Sequence, residues 1–405
     1  MAAEEKELSR PGAQEMFNAP IGHLGLIPLK GCEALAEQID DYLIRWRNER
    51  ETAGLNDGHF LGYPKGSYVV KTDCPRFGSG EGKGVIKSSV RGDDLYFLSD
   101  VTNNSLTYTV AGETNHYSPD DHFADLKRLI AASAGRAKRM TVIMPFLYEG
   151  RVSKRDGRES LDCAQMLQEL VDMGVTNILT FEAHEPRVQN AIPLNEFETI
   201  SPAYQYIKAL LGAVDDLDVD AEHMMVISPD EGGMGRAIFF ANLLGLDMGM
   251  FYKRKDYTKF INGVNPVVAH EFLGASVEGK DVVIVDDMIS SGDRMVEVAR
   301  ELKRRKARRV FGCAAFGLFT GGFSAFDRAH DEGALDLLFT TNMIYQKPEL
   351  LERSWYVNVD MAKYIALLID CLNHDHSLTS LLSPVERVNA KLEEYRCRRN
   401  ASKTE

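Results

Sequence analysis

From about residue 20 onward, short β-branched runs alternate with longer stretches whose apolar residues recur at helical spacing, and this alternation confines the chain to mainly parallel sheets flanked by helices. The rhythm becomes regular at residue 140: strand Met140 to Pro145, helix Leu161 to Met173, strand Asn177 to Glu182, helix Ala203 to Leu211, strand Met224 to Ser228, helix Met234 to Leu244 and strand Met248 to Tyr252. A second set follows, with strand Asp281 to Asp286, helix Arg294 to Lys306, strands Arg309 to Gly317 and Asp336 to Thr341, and helix Met361 to Leu372. Nearer the start, Leu35, Ile39, Leu43 and Trp46 share one helical face, and strands are expected at Ser67 to Thr72, Val85 to Ser89 and Leu95 to Asp100. The polar stretch Asn103 to Ser118 reads as loop, and Ser118-Pro119 followed by acids predicts a helix start.

A chain of 405 residues that is 44% apolar can bury two cores. The boundary is expected near Leu211 to Asp220, where LGAVDDLDVD is polar and aperiodic. That gives a tail at 1–20, domains at 21–212 and 213–380, and a helical or disordered tail at 381–405. Similar element order in the two halves hints at a duplicated α/β unit. Six scattered cysteines without CxxC spacing read as reduced thiols of a cytoplasmic protein. MAAEEKELSRPGAQEMF has neither a basic n-region nor an apolar h-region, so no targeting segment is expected, and no apolar run approaches a membrane span. With 60 acidic and 47 basic side chains the net charge is −13, which disfavours nucleic acid and anionic membrane as partners. Phosphate substrates would need local cations or metal ions against that field.

The chemistry concentrates in VVIVDDMISSGDR, residues 282–294. Four apolar residues build a buried strand, which presents Asp286 and Asp287 at its carboxyl end, where open α/β sheets bind ligands. Ser290, Ser291 and Gly292 then form a small-residue turn whose N–H groups, with the following helix N-terminus, suit a phosphate. Two acids beside such a nest suit vicinal hydroxyls of a phosphorylated sugar; a strand whose acids merely cap the next helix is the plainer alternative. Asp293 would repel a phosphate unless it points away or caps its own helix, and Arg294 supplies compensating charge. Elsewhere, SPDEGGMGRA (228–237) is a strand-to-helix turn, and FYKRKDYTKFING (251–263) puts three cations at a strand end before a polar loop. KRRKARR (303–309) reads as the exposed face of a helix.

Residues 282–294 resemble the phosphoribosyl pyrophosphate-binding motif shared by type I phosphoribosyltransferases and ribose-phosphate pyrophosphokinases. Further segments in matching order are similar to the pyrophosphokinases in particular, over roughly residues 20–380. The resemblance implies two tandem type I phosphoribosyltransferase-like domains that make phosphoribosyl pyrophosphate and AMP from ATP and ribose 5-phosphate for nucleotide biosynthesis, with Mg²⁺ as cofactor. It implies that Asp286 and Asp287 hold the ribose hydroxyls while Ser290, Ser291, Gly292 and Arg294 hold the 5-phosphate. By SPDEGG and LTFEAHEP (179–186), Asp230 and His184 join a metal site, His184 acting through water. By RFGSGEGKGVIKSSVRGDDLYFLSD (76–100), Phe77 stacks on adenine while Ser79 and Glu81 read its edge, and within 144–160 Arg151 grips the nucleotide phosphates. Lys253 and Lys255 take the place of a Lys and an Arg on a mobile catalytic lid. The family usually forms dimers and hexamers, so a homo-oligomer is expected. Departures also stand: Asp293 and Arg294 replace the usual end of the turn, and Val152-Ser153 follow Arg151 where Gln and Asp are usual. These keep open a regulatory homologue without activity. A phosphoribosyltransferase, which would release pyrophosphate and not AMP, is the other rival.

Overall fold

In a computed structural model the described residues are 19–402, apart from 55–59, 61, 156 and 256–266. The chain divides into two compact units. One takes the chain up to Ser201 together with Met343–Tyr345 and Met361–Leu382; the other takes Pro202–Asn342, Gln346–Asp360 and the chain from Ser383 onward.

The first unit runs β1 (His23–Pro28), α1 (Glu33–Thr52), the short pair β2 (Thr72–Asp73) and β3 (Val85–Ile86), β4 (Asp93–Leu98), β5 (Thr107–Val110), β6 (Glu113–His116), α2 (Pro119–Ser133), β7 (Arg139–Ile143), α3 (Asp162–Asp172), β8 (Asn177–Phe181) and β9 (Glu196–Ile200). Strands β1, β4, β7, β8 and β9 pair in that order, all parallel. Every residue of β8 is buried, and its polar members Asn177 and Thr180 are hydrogen-bonded, Thr180 Oγ1 donating to the Pro145 carbonyl at 3.0 Å. The predicted helix start is a capping box: Asp121 N–H donates to Ser118 Oγ at 3.2 Å, and Ser118 N–H donates to the Asp121 carboxylate at 3.0 Å.

In the second unit the order is α4 (Ala203–Ala213), β10 (Met224–Ser228), α5 (Met234–Leu244), β11 (Asp247–Lys255), β12 (Val267–Leu273), β13 (Asp281–Ile289), α6 (Asp293–Arg304), β14 (Arg309–Gly317), α7 (Ser324–Asp331), β15 (Leu337–Thr341), α8 (Pro348–Leu351) and β16 (Tyr356–Val359). Its seven strands pair as β12-β11-β10-β13-β14-β15-β16, with only β12 antiparallel to its neighbour. Alternate residues of β13 feed two cores: Val283 and Val285 pack in the cluster that contains α4 and α5 residues, Val282 and Ile284 in the one that contains α6 and α7 residues. Helix α9 (Ala362–Asn373) and α10 (Thr379–Leu382) belong to the first unit, and α11 (Val385–Ser402) to the second.

Several local expectations are corrected. Asn103 to Ser118 is not plain loop, since β5 and β6 form an antiparallel hairpin whose Tyr108 packs edge-on against Tyr117 at 5.2 Å. Ser67 to Thr72 makes only the bridge Leu26↔Val69 before β2. The tail is an amphipathic helix, with Val388, Leu392 and Tyr395 of α11 buried in the core that holds α4. In 303–309, Arg308 and Arg309 are not simply exposed; both guanidiniums grip the buried Asp281 at the start of β13. Among the described residues no helix is long and apolar enough to cross a membrane.

Candidate functional site

In the second unit the chain steps from β10 outward to β11 on one side, and from β13 outward to β14 and β15 on the other. The winding therefore reverses between β10 and β13, the place where open parallel sheets form a ligand crevice. Strand β13 also outruns β10. Its pairing with β10 stops at Ile227↔Ile284, whereas its pairing with β14 continues to Ile289↔Gly317. Asp286 and Asp287 occupy the overrun.

Both acids are buried, at 6% and 3% exposure. Asp287 N–H donates to Asp286 Oδ1 at 3.0 Å, and Met288 N–H to Asp287 Oδ1 at 2.9 Å. Arg236 Nη2 lies 3.2 Å from Asp287 Oδ2. One guanidinium thus faces two carboxyls, and burial, then the charge and hydrogen bond of Asp287, hold the Asp286 carboxyl well above the usual carboxylate range. Two carboxyls side by side offer hydrogen-bond acceptors to a pair of sugar hydroxyls.

The turn after β13 is held from below by the end of β14: Leu318 N–H donates to Ile289 O, and Thr320 N–H to Ser290 O, each at 2.9 Å. Gly292 has φ +93°, and a Cβ there would lie 2.2 Å from the Phe326 ring, so both backbone and space demand glycine. Ser291 Oγ donates to the exposed Asp293 at 2.9 Å. Asp293 therefore engages the turn and does not cap α6, whose N-cap Gly292 has no side-chain hydrogen bond. Arg294 lies across the crevice on the carboxylate of Asp230. The other oxygen of Asp230 accepts from Gly233 N–H at 3.1 Å, and Ser228 Oγ donates to its carbonyl at 2.6 Å. Lys253 and Lys255 end β11, with Lys253 opposite His270 in the ladder; their side chains lie outside the described residues.

In the first unit, Phe77, Ser79 and Glu81 share a tight hairpin. Phe77 N–H donates to Glu81 O at 2.7 Å, Gly80 N–H to Phe77 O at 2.8 Å, and Ser79 Oγ to Glu81 Oε2 at 2.8 Å. The Phe77 ring is 53% exposed, large for an unpaired aromatic. The base of this hairpin is locked by Arg76, which donates to both oxygens of Asp125 on α2 at 2.6 and 3.1 Å and lies 5.3 Å from each of the Tyr108 and Tyr117 rings. At its tip, Ala111 N–H donates to Gly78 O at 2.9 Å. Arg151 and His184 are both exposed, in the loops after the neighbouring parallel strands β7 and β8. Left-handed non-glycine residues mark these strand ends, at Glu149 (φ 53°) after β7, Glu182 (φ 41°) after β8 and Phe319 (φ 45°) after β14. Such strain gathers where a fold is held for use.

The second unit brings Asp230, which the sequence reading placed with His184, to Arg294 of the 290–294 turn that follows Asp286 and Asp287. The sequence reading missed Arg236 and Arg76. A signal for Arg236 existed: a cation in the first turn of α5 opposes the helix dipole and needs an anionic partner. For the metal, His184 belongs to the first unit and Asp230 to the second. Among the described residues no three His, Cys, Asp or Glu side chains are grouped to hold an ion. Asp230 is a donor of the right kind, a carboxylate for a hard cation, whereas the imidazole of His184 would act only through water, and what stands against Asp230 is the guanidinium of Arg294.

Two family descriptions match the chain in tandem, "N-terminal domain of ribose phosphate pyrophosphokinase" over residues 24–174 and "Phosphoribosyl transferase domain" over residues 194–325. The ribose-phosphate pyrophosphokinase of Vibrio parahaemolyticus is 28% identical over 317 residues, 76% of this chain and 90% of that protein. That of Mycoplasma genitalium is 26% identical over 324 residues, 78% of this chain and 92% of the relative. The crystal structure of phosphoribosylpyrophosphate synthetase from Mycobacterium smegmatis aligns with a TM-score of 0.65 at 20% identity, covering 87% of this chain and 99% of that one, a likeness of fold.

Proposed function

The chain belongs to the ribose-phosphate pyrophosphokinase family, and we propose that it transfers the diphosphate of ATP to the 1-hydroxyl of ribose 5-phosphate, giving phosphoribosyl pyrophosphate and AMP. The observation that carries the reading is the overrun of β13, which presents two buried carboxyls, Asp286 and Asp287, side by side at the reversal of the sheet. Asp286 and Asp287 orient the ribose by its vicinal hydroxyls. Ser290, Ser291 and Gly292 offer hydroxyls and N–H groups to the 5-phosphate, and Arg294 its charge. With the sugar so fixed, O1 attacks the β-phosphorus in line; the O1–P bond forms, and AMP leaves with the bridging oxygen. Phe77 stacks on the adenine, Ser79 and Glu81 read its edge, and Arg151 holds the triphosphate. Lys253 and Lys255 meet the charge that develops on the transferred group. Little covalent chemistry falls to the protein, so positioning and charge stabilisation supply the rate. A divalent cation, Mg²⁺ in this reading, would be held by Asp230 and through water by His184, and when bound it neutralises the phosphates. Cytoplasmic location, with reduced thiols, and assembly into dimer-based homo-oligomers belong to the same reading.

The test is an assay of the purified chain with ATP, Mg²⁺ and ribose 5-phosphate, followed by ³¹P NMR. AMP and phosphoribosyl pyrophosphate should appear together, and only when the sugar phosphate is present. Pyrophosphate release from phosphoribosyl pyrophosphate and a base would instead identify a phosphoribosyltransferase. Binding of both substrates without AMP, on folded protein, would identify a regulatory homologue.

A further inference from the structure

Two ion pairs tie the β10 side of the crevice to the β13 side, and they run in opposite senses. Arg236 of α5 reaches Asp287 of β13, while Arg294 of α6 reaches back to Asp230 after β10. The first pair is nearly buried, with side chains 15% and 5% exposed, and belongs to the frame. The second is open, with Arg294 43% and Asp230 28% exposed, so it can part without leaving a buried charge unpaired.

Arg294 stands one residue beyond the first position of α6, directly after the Ser290–Gly292 turn, so a phosphate seated there would lie within reach of its guanidinium. Guanidinium forks match phosphate and carboxylate alike. A second carboxylate, Asp293, already takes the Ser291 hydroxyl. The turn is therefore engaged by the chain's own acids, one on its serine and one on its arginine. Two anions cannot share one exposed guanidinium as well as either does alone, and a cation cannot join Asp230 while a guanidinium covers it.

From this we infer that Asp230 is an internal stand-in for the sugar's phosphate and that Arg294 passes between them. Arrival of the 5-phosphate draws Arg294 off Asp230 and leaves that carboxylate open to a divalent cation. The two ligands then bind with positive coupling, each aiding the other by the same factor, because the coupling is an equilibrium property. The inference rests on the assignment of the 290–294 turn to the 5-phosphate, and it makes Arg294 a positioning residue that couples sugar to metal. It also gives the departure at 293–294 a purpose: a neutral residue at 294 would bind phosphate without reporting it to Asp230.

The test uses the full chain and reads binding, not turnover. Mn²⁺ affinity, from electron paramagnetic resonance of the free ion, is measured with and without ribose 5-phosphate, and sugar phosphate affinity by calorimetry in metal-free buffer. Ribose 5-phosphate should tighten Mn²⁺ in the wild type by roughly fivefold, the low end of usual site-to-site couplings, as befits an exposed pair. Arg294→Ala should bind Mn²⁺ that much tighter without the sugar and show no further gain with it. Asp230→Asn should bind ribose 5-phosphate more tightly in metal-free buffer, and should lose that gain when combined with Arg294→Ala. The inference is overturned if Arg294→Ala leaves Mn²⁺ affinity unchanged or weakens it, or if the Asp230→Asn gain survives without Arg294. A wild type that binds no ribose 5-phosphate would sink the functional reading instead, while the Mn²⁺ comparison of wild type with Arg294→Ala would still judge the latch.

Discussion

Arg236 Nη2 sits 3.2 Å from Asp287 Oδ2, and its charge also acts on the neighbouring buried Asp286. The arrangement fixes what happens when Asp287 is removed. In Asp287→Ala the charge and hydrogen bond that add to the effect of burial on Asp286 are gone, and Arg236 loses this partner while Asp286 remains near it. The protein should stay folded, with an unchanged far-ultraviolet circular dichroism spectrum, while turnover falls by roughly 10² or more, the scale of a lost preorganised contact. Near-normal activity would end the ribose assignment.

Lys253 separates three readings of the β11 end. If its charge meets the phosphates mainly in the transition state, Lys253→Ala should lower kcat by roughly 10² with little change in KM for ATP. A simple nucleotide anchor would raise KM and preserve kcat, and a solvated loop would alter neither. Steady-state kinetics at saturating Mg²⁺ decides.

Phe77 should behave in the contrary way. Its ring is exposed and carries little of the core, so Phe77→Ala should keep the melting temperature. Loss of a base-stacking surface costs about 1–3 kcal/mol, so KM for ATP should rise by roughly tenfold with kcat largely kept. Equal KM values in the two proteins would move the adenine elsewhere.

Much of this was legible in advance, and what was not has a common cause. A strand buried on both faces, such as β13, announces itself by an apolar run, and Ser118-Pro119 announced α2 through its capping chemistry. The unanticipated sheet strands β1, β9, β12 and β16 are all sheet edges, where one side faces no neighbour, and sequences such as EFETI and YVNV alternate too weakly to stand out. The acid pair and the turn were found because their chemistry is contiguous. Arg236 was not, because its meaning lies in a partner on another strand, and the destination of Arg294 is 64 residues away. Tyr108 and Tyr117, which meet edge-on and both lie 5.3 Å from Arg76, were hidden in a stretch whose polar residues read as loop.

A pH dependence arises from His374. It is 8% exposed, its Nδ1 lies 2.7 Å from the Asp370 carbonyl and its Nε2 3.0 Å from Tyr63 Oη, a setting for the neutral ring. Burial, opposed by the Asp370 charge, lowers its pKa to about 4, below the unfolded value of about 6.5. Between those values the unfolded chain binds a proton that the folded one does not, so stability is complete above about pH 6.5 and declines as pH falls towards 4, by at most about 3 kcal/mol. Burial alone would raise Asp370, but Arg50, His374 and Arg47 together hold it well below the usual range, so its contribution is lost only under about pH 4, outside that window. Urea midpoints of wild type and His374→Gln at pH 4.5 and 7 should show the steeper decline in the wild type; equal declines would contradict it.

The residues that complete the first unit come late in the chain. Asp370 pairs with Arg47 and Arg50, Asn373 bonds to Arg47 and Asp94, and the Leu372 carbonyl accepts from Arg139. A ribosome delivers the N-terminal strands hundreds of residues before that helix, and until it emerges Arg47 and Arg50 lack Asp370, although Arg139 already has the buried Asp94 of β4. Folding domain by domain during synthesis, the usual habit of long chains, is thus closed to the first unit. It matures only when translation is nearly done, and a stop codon placed after Ser201 would yield no half-protein but an unfinished one.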